Sequence, residues 1–229
     1  MKIIAIGGGG CTHGTFPELD RLCIDQVMNA APRVGFIGTA SADDPEKLDR
    51  FKAGFRPISA QQIHLPATMT AGDLQHALET IDLVYVGGGH TEKMINRWRD
   101  QNWDQVLFKA CQSGVVLAGT SAGAVCWFDQ FLFHSGEGPM RPLKGLGLID
   151  MGACPHYSSE PERKPSLHAA VNAETMPTTL AIDDGVGVVF VHGIPRVVAR
   201  AVSDANAYLV SRNGTGGLEE VPLVPFKSP

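Results

Sequence analysis

A serine between two glycines carries the strongest chemical signal in this sequence. Gly119, Ser121 and Gly123 fit the G-x-S-x-G pattern of a nucleophile elbow, in which a sharp strand-to-helix turn exposes the serine hydroxyl. An apolar run precedes the pattern and small residues follow it, which predicts a buried strand and then a helix. The backbone N–H of Ala122 would then help to bind an oxyanion. The alternative is that Thr120 and Ser121 only cap the helix.

A serine nucleophile needs a base, and the base needs a group that orients it, so the histidines are the next test. His156 ends a short apolar segment, from which its ring could project over the same sheet edge as Ser121. Asp184 follows a predicted strand and could accept the other imidazole proton, whereas Ser158 and Glu160 are shorter-range alternatives. A structural histidine and an ordinary turn aspartate are the competing interpretations of the first two residues.

A second glycine-rich turn follows the apolar run Leu83–Val86 and ends at His90. Because Gly87, Gly88 and Gly89 carry no side chains, their backbone N–H groups can approach a substrate carbonyl closely and supply a second oxyanion donor. An ordinary tight turn is the alternative interpretation.

The first glycine run, residues 7–10, does not fit a nucleotide-binding motif. It fails the G-x-G-x-x-G spacing in every register, and the lysine and hydroxyl residue of a P-loop are missing. The histidines form neither H-E-x-x-H nor a compact set of metal ligands. We therefore expect neither a metal ion nor an organic cofactor.

The chain of 229 residues is 44% hydrophobic and carries a net charge of −5. This size and composition favour a single domain over residues 1–229, with a loosely held tail after about residue 213. The negative charge, without a cluster of Lys and Arg, argues against a nucleic-acid partner. The five cysteines form no C-x-x-C pair, and no segment is typical of a membrane span or a signal peptide. A cytoplasmic protein is expected.

Apolar strands alternate with amphipathic helices through the first half of the chain. This alternation predicts βαβ units, a mostly parallel sheet with helices on both faces, and ligand binding at the carboxyl ends of the strands. The turns that hold Gly89 and Ser121 lie at that edge. From Phe128 to Gly147 the glycines and prolines predict an ordered loop, and the closing third of the chain predicts antiparallel strands or hairpins.

Four motifs together resemble the peptidase E (aspartyl dipeptidase) family of serine peptidases, which is related to cyanophycinase. They are, in chain order, Val86-Gly87-Gly88-Gly89-His90-Thr91, Gly119-Thr120-Ser121-Ala122-Gly123-Ala124, Pro155-His156-Tyr157 and Asp183-Asp184-Gly185. The resemblance implies the class I glutamine amidotransferase-like fold, a three-layer α/β/α sandwich. The order serine, histidine, aspartate along the chain also separates this sequence from a typical α/β-hydrolase.

The resemblance implies a role for each matching residue. The implied catalytic residues are the nucleophile Ser121, the base His156 and the acidic third member Asp184, with an oxyanion hole from the N–H groups of Gly89 and Ala122. The implied substrate-binding residues are Gly88, His90 and Arg163, of which Arg163 falls near the family's arginine for a substrate carboxylate. His90 departs from the family, which usually has asparagine at this position.

The expected function is hydrolysis of short peptides by a cytoplasmic serine peptidase, acting as a dipeptidase with Asp-Xaa as a candidate substrate. The alternatives are an esterase or amidase acting on a non-peptide acyl group, and a non-catalytic binding module of the same fold. The expected partner is a small peptide, with no nucleic acid and no membrane. Monomer and homodimer both stay open.

Overall fold

The computed structural model describes residues 1–59 and 61–224. The strands are β1 (Lys2–Ile6), β2 (Arg33–Ile37), β3 (Gln61–His64), β4 (Leu83–Val86), β5 (Val116–Thr120), β6 (Phe128–Phe133), β7 (Arg141–Lys144), β8 (Ile149–Cys154), β9 (Thr179–Ile182), β10 (Val186–Val191), β11 (Ile194–Arg200), β12 (Ala207–Arg212) and β13 (Leu218–Pro222). The α-helices are α1 (Pro17–Ile24), α2 (Pro45–Phe55), α3 (Ala71–Leu78), α4 (Thr91–Asp100), α5 (Trp103–Gln112), α6 (Ala122–Val125) and α7 (Arg163–Asn172).

A seven-stranded sheet has the order β11-β10-β1-β5-β4-β2-β3. The five strands β1 to β5 pair in parallel, while β10 is antiparallel to β1 and β11 is antiparallel to β10. In the register of β1 and β5, Ile6 lies beside Thr120, and in that of β4 and β5, Val86 lies beside Gly119. The segments that follow β1, β4 and β5 therefore meet at one edge of the sheet, where ligands bind in folds of this kind.

Successive side chains of each strand point to opposite faces of the sheet, so apolar residues lie on both faces. Helices cover each of the two faces. On one face, Trp98 of α4 and Leu107 of α5 share a buried apolar cluster with Val84 of β4. On the other face, Phe51 of α2 shares a second cluster with Tyr85 of the same strand. The three-layer α/β/α arrangement with a mostly parallel sheet is thus confirmed.

A second, six-stranded sheet has the order β13-β12-β9-β8-β6-β7. It corrects the prediction of an ordered loop from Phe128 to Gly147, because β6 and β7 lie in that segment. The prediction missed these strands because they are short and the turns between them are rich in glycine. One such glycine, Gly145, is required by packing, since a Cβ there would lie 2.1 Å from the carbonyl oxygen of Phe128.

The C-terminal segment also differs from the prediction of a loosely held tail. The strand β13 pairs antiparallel with β12, with Glu220 beside Val210. Glu220 accepts a hydrogen bond from the hydroxyl of Tyr157 at 2.9 Å and lies 2.9 Å from the ammonium group of Lys164. Within the tail, Leu218–Pro222 is therefore part of the second sheet and contacts the segment that follows His156, while residues 225–229 lie outside the described part of the chain.

Among residues 1–59 and 61–224, no helix combines the length and the apolar character that crossing a membrane requires.

Candidate active site

The serine elbow is a strained turn between β5 and α6. Ser121 has φ 54° and ψ −115°, a combination that residues with a Cβ rarely adopt. Its N–H donates to the carbonyl oxygen of Ile6 at 3.0 Å, which ties the turn to β1. A Cβ at Gly119 would lie 2.3 Å from the carbonyl oxygen of Gly123, and one at Gly123 would lie 2.2 Å from that of Val86. Close backbone approach thus requires both glycines of the pattern.

The structure brings Ser121, His156 and Asp184 into one hydrogen-bonded chain. His156 Nε2 lies 2.8 Å from Ser121 Oγ, and His156 Nδ1 lies 2.6 Å from Asp184 Oδ1. An ionised carboxylate only accepts hydrogen bonds, so Nδ1 carries the proton and Nε2 is free to accept from the serine hydroxyl. His156 follows β8 of one sheet, whereas Asp184 lies between β9 and β10, where the chain passes from one sheet to the other.

The two alternatives for the third member have no recorded side-chain hydrogen bond to His156 in the described part of the chain. The backbone N–H of Ser158 donates to Asp183 Oδ1 at 3.1 Å. The carboxylate of Glu160 accepts from Arg163 Nε at 2.8 Å, and Glu160 touches His156 only through a backbone hydrogen bond of 3.1 Å. Of the three candidates, Asp184 is the one whose carboxylate meets the imidazole.

The surroundings of Asp184 favour its ionised form. Burial raises the pKa of this carboxyl group, but hydrogen bonds from the side chains of His156 and Ser159, together with the positive charge of nearby histidines, outweigh burial. The net pKa lies below the ordinary value for aspartate. Asp184 is therefore charged at neutral pH and can stabilise an imidazolium ion beside it.

The first glycine run makes room for this contact. A Cβ at Gly8 would lie 1.8 Å from Asp184 Oδ1 and 2.7 Å from His156 Nδ1. The carbonyl oxygen of Gly8 also accepts from the N–H of Gly185 at 2.9 Å, which holds the two segments together. The glycine at position 8 therefore serves close packing beside the histidine and the aspartate.

The predicted oxyanion donors lie on both sides of the nucleophile. A Cβ at Gly88 would lie 3.2 Å from the Cβ of Ser121, so the glycine turn lies directly against the elbow. Gly89 has φ +149°, and a Cβ there would lie 2.2 Å from the carbonyl oxygen of Ala40. In the described part of the chain, neither the N–H of Gly89 nor that of Ala122 donates a hydrogen bond. Both N–H groups are thus available to a ligand.

His90 lies directly after these glycines and caps helix α4. Its Nδ1 accepts from the N–H of Lys93 at 3.3 Å, and its ring centroid lies 5.1 Å from that of Phe133 on β6. This pairing joins the glycine turn of the central sheet to the second sheet. In its neutral form the ring then carries its proton on Nε2, which makes that atom a hydrogen-bond donor.

Arg163 is held away from a substrate-binding role by its own contacts. It is 7% exposed, its Nε donates to Glu160 at 2.8 Å, and one terminal nitrogen donates to the carbonyl oxygen of Leu132 at 3.0 Å. These bonds join the start of α7 to β6. The expectation that Arg163 meets a substrate carboxylate finds no support in this geometry.

His13 is a site residue that the sequence analysis missed. Its Nδ1 lies 3.1 Å from the carbonyl oxygen of Gly9, and its ring centroid lies 6.5 Å from that of His156. Burial, the neighbouring His156 and the charge of Lys47 lower the pKa of His13. The available signal was its position in the segment that follows β1, just past the first glycine run, because the carboxyl end of β1 meets those of β4 and β5 at the same edge of the sheet.

Within residues 1–59 and 61–224, no group of three or more His, Cys, Asp and Glu side chains is arranged to hold a metal ion. The arrangement places a serine hydroxyl against an imidazole, next to two backbone N–H groups that donate to no acceptor in the described part of the chain. This is the equipment for nucleophilic attack on a carbonyl.

Comparison with known proteins agrees with this chemistry. The sequence model of peptidase family S51 matches residues 3–194. A Bacillus subtilis (strain 168) relative, named as the uncharacterized peptidase YgaJ, is 34% identical over 228 residues, which cover 97% of this chain and 96% of the relative.

Two solved structures share the fold. A peptidase from an acI-B1 Actinobacterium has a TM-score of 0.73 at 17% identity, covering 99% of this chain and 95% of the other. A putative peptidase E protein from Listeria monocytogenes EGD-e has a TM-score of 0.66 at 18% identity, covering 88% of this chain and 98% of the other. The match of the family along nearly the whole chain and the close relative lead to one conclusion: the protein belongs to peptidase family S51.

Proposed function

We propose that this peptidase is a serine enzyme that hydrolyses short peptides with Ser121, His156 and Asp184 as its catalytic residues. The observation that carries the proposal is the hydrogen-bonded chain at the elbow, with distances of 2.8 Å and 2.6 Å. It joins a strained serine to a histidine and an ionised carboxylate, which is the constellation that activates a hydroxyl for attack on an amide.

The reaction starts when Ser121 Oγ attacks the peptide carbonyl carbon while His156 Nε2 takes the hydroxyl proton. A tetrahedral intermediate forms, and its negative oxygen binds to the N–H groups of Gly89 and Ala122. His156 then donates the proton to the leaving amine, and the peptide bond breaks to leave an acyl group on Ser121. A water molecule, deprotonated by the same histidine, releases the acyl group as a carboxylic acid.

Asp184 supports both proton transfers. Its hydrogen bond to Nδ1 fixes the imidazole tautomer, and its negative charge stabilises the imidazolium ion that forms during attack. A lowered carboxyl pKa suits this role, because the group stays charged next to the cationic ring.

The proposal covers short peptides with a free N-terminus and does not include a preference for Asp-Xaa. The motivation for the substrate size is the resemblance of the four motifs to a dipeptidase family. The aspartyl preference came from the same resemblance, and Arg163, the residue implied to bind the substrate carboxylate, has its guanidinium group bound to Glu160 and Leu132. We also propose the cytoplasm as its compartment, since all five cysteines are buried and free of disulfides.

A fluorophosphonate probe and a substrate panel test this function. Labelling of wild-type protein but not of Ser121→Ala would support the nucleophile, and Ser113→Ala, which changes an exposed serine at the end of α5, is the matched control. Dipeptides with different first residues are then compared with acyl esters and non-peptide amides. Turnover of the esters or non-peptide amides alone would make the protein an esterase or amidase, and a folded protein that neither labels nor turns over substrate would be a binding module.

A further inference from the structure

We propose that Lys47 is a positioning residue of the oxyanion hole, whose ammonium group holds the Gly88–Gly89 peptide so that the N–H of Gly89 faces the reacting carbonyl. This inference rests on the proposed function, because it deepens the role given there to Gly89. Sequence patterns give no indication of it, since Lys47 is 41 residues away from Gly88 along the chain.

The contact is a charge-assisted hydrogen bond. Lys47 Nζ donates to the carbonyl oxygen of Gly88 at 2.9 Å, in a partly buried setting. Lys47 lies in the first turn of α2, which Asp44 caps by accepting from the N–H of Glu46 at 2.9 Å. A capped helix provides a firm base for the lysine, and a hydrogen bond from an ionised donor is about twice as strong as one between neutral groups.

The geometry of the peptide unit turns this bond into control of the neighbouring donor. The carbonyl of Gly88 and the N–H of Gly89 belong to one planar group, in which oxygen and hydrogen point in opposite directions. Fixing the oxygen on Lys47 therefore fixes the direction of the N–H. Control is needed here because glycines flank the peptide on both sides and adopt φ of either sign with little strain.

The other bonds of the turn act on different peptide units. The N–H of Gly87 donates to the carbonyl oxygen of Ile37 at 3.1 Å, and the N–H of His90 donates to that of Ala40 at 2.8 Å. These two bonds anchor the ends of the turn. Between them, Lys47 supplies the bond that the structure records on the Gly88–Gly89 peptide itself.

The positive charge of Lys47 also acts on the Gly88–Gly89 peptide. In the described part of the chain, no carboxylate forms an ion pair with Lys47, whereas Arg50 on the same helix pairs with Glu46. The charge of Lys47 also contributes to the lowered pKa of His13, whose ring centroid lies 6.5 Å from that of His156. A cation behind the donor peptide makes the N–H more positive, and this favours the oxyanion.

The test compares Lys47→Met with Lys47→Arg, which keeps a cationic donor, and with Lys52→Met. The last variant makes the same substitution on the same helix, at a lysine whose ammonium has no recorded hydrogen bond or ion pair in the described structure. Each protein is measured for kcat and KM on the best dipeptide substrate, for its melting temperature, and for inhibition by a peptide aldehyde. The aldehyde forms a tetrahedral adduct with a serine nucleophile and so reports on the oxyanion hole.

We expect Lys47→Met to lower kcat by about 10-fold to 100-fold and to weaken aldehyde binding by a similar factor. KM and the melting temperature stay close to wild type, Lys47→Arg recovers most of the lost kcat, and Lys52→Met behaves as wild type. A wild-type kcat in Lys47→Met would overturn the proposal, as would a loss confined to KM, which belongs to a residue that binds substrate directly. Full activity in Ser121→Ala would instead overturn the proposed function, whatever the result at position 47.

Discussion

Gly8 and Asp184 are packed so closely that a Cβ on the glycine would lie 1.8 Å from the carboxylate oxygen that meets His156. The two residues also form an isolated parallel bridge, in which Gly185 donates to the carbonyl oxygen of Gly8 at 2.9 Å. The glycine run just after β1 is therefore part of the candidate active site, although these glycines supply no side chain to it. Its contribution is the space that lets a carboxylate reach the imidazole.

The first prediction is that Gly8→Ala inactivates the enzyme without unfolding it. The added methyl group displaces the Asp184 side chain, which can rotate, so the imidazole loses its partner while the backbone stays in place. We expect kcat/KM to fall by at least about 100-fold, because the variant loses the carboxylate that supports the catalytic histidine. The control is Gly214→Ala, where no heavy atom lies within 4 Å of the added Cβ. A Gly8→Ala enzyme with near wild-type kinetics would mean that the close contact has no part in catalysis.

The second prediction separates the candidates for the third catalytic residue. Asp184→Asn keeps the shape of the side chain but removes the charge that favours the correct tautomer and the imidazolium ion. We expect kcat to fall by roughly 1,000-fold or more, whereas Ser158→Ala stays within about threefold of wild type. Both are measured on the same dipeptide, with circular dichroism to confirm folding. If Ser158→Ala proved the more damaging change, Asp184 would lose its assigned role.

Short-range patterns were enough to predict part of this site. The elbow at Ser121 and the turn at Gly89 both follow buried strands. The glycines around them indicate the backbone positions at which there is no room for a side chain. The rule that parallel strands end at a shared edge then placed both turns together. For the same reason the three-layer arrangement and most elements of the central sheet could be predicted.

Other features depend on pairings between distant segments, which a single sequence does not encode locally. The role of Gly8 follows from the passage of Asp184 beside the end of β1, and that of Lys47 from the packing of α2 against the turn after β4. The strands β6 and β7, which pair with each other, were predicted as loop because they are short and the turn between them is rich in glycine. The contacts of Arg163 could not be predicted because nothing in its local sequence indicates that it is buried against β6.

The third prediction concerns Asp20, which is 2% exposed and accepts from the N–H of Cys11 at 3.0 Å, after the glycine run. Burial raises the pKa of Asp20 to about 6. The folded protein therefore binds more protons than the unfolded chain between about pH 4 and pH 6, so the free energy of unfolding falls as pH rises through this window. Well above pH 6, Asp20 is ionised in both the folded and the unfolded state, so it no longer changes the free energy of unfolding with pH.

Asp20→Asn tests this pH dependence because it removes the titrating group and keeps a similar shape. We compare the free energy of unfolding of the variant with that of wild type at pH 4 and at pH 7.5. The value for the variant minus that for wild type should rise by up to about 3 kcal/mol from the lower pH to the higher. Urea unfolding at both pH values measures the difference, and Asp25→Asn, at an exposed position just after α1, is the control. A relative stability that is independent of pH would show that Asp20 titrates normally.

The last prediction is that Arg163 supports the fold and does not select the substrate. Its guanidinium group is buried and donates to the carbonyl oxygen of Leu132 and to Glu160, so Arg163→Ala leaves a buried carbonyl without its donor. We expect a loss of about 1–3 kcal/mol in the free energy of unfolding, measured by urea denaturation. The ratio of kcat/KM for Asp-Xaa to that for Ala-Xaa dipeptides should be the same in the variant as in wild type. If wild type prefers Asp-Xaa and the variant loses this preference without losing stability, then Arg163 leaves its buried position to bind the substrate carboxylate, and the contacts with Leu132 and Glu160 must break when substrate enters.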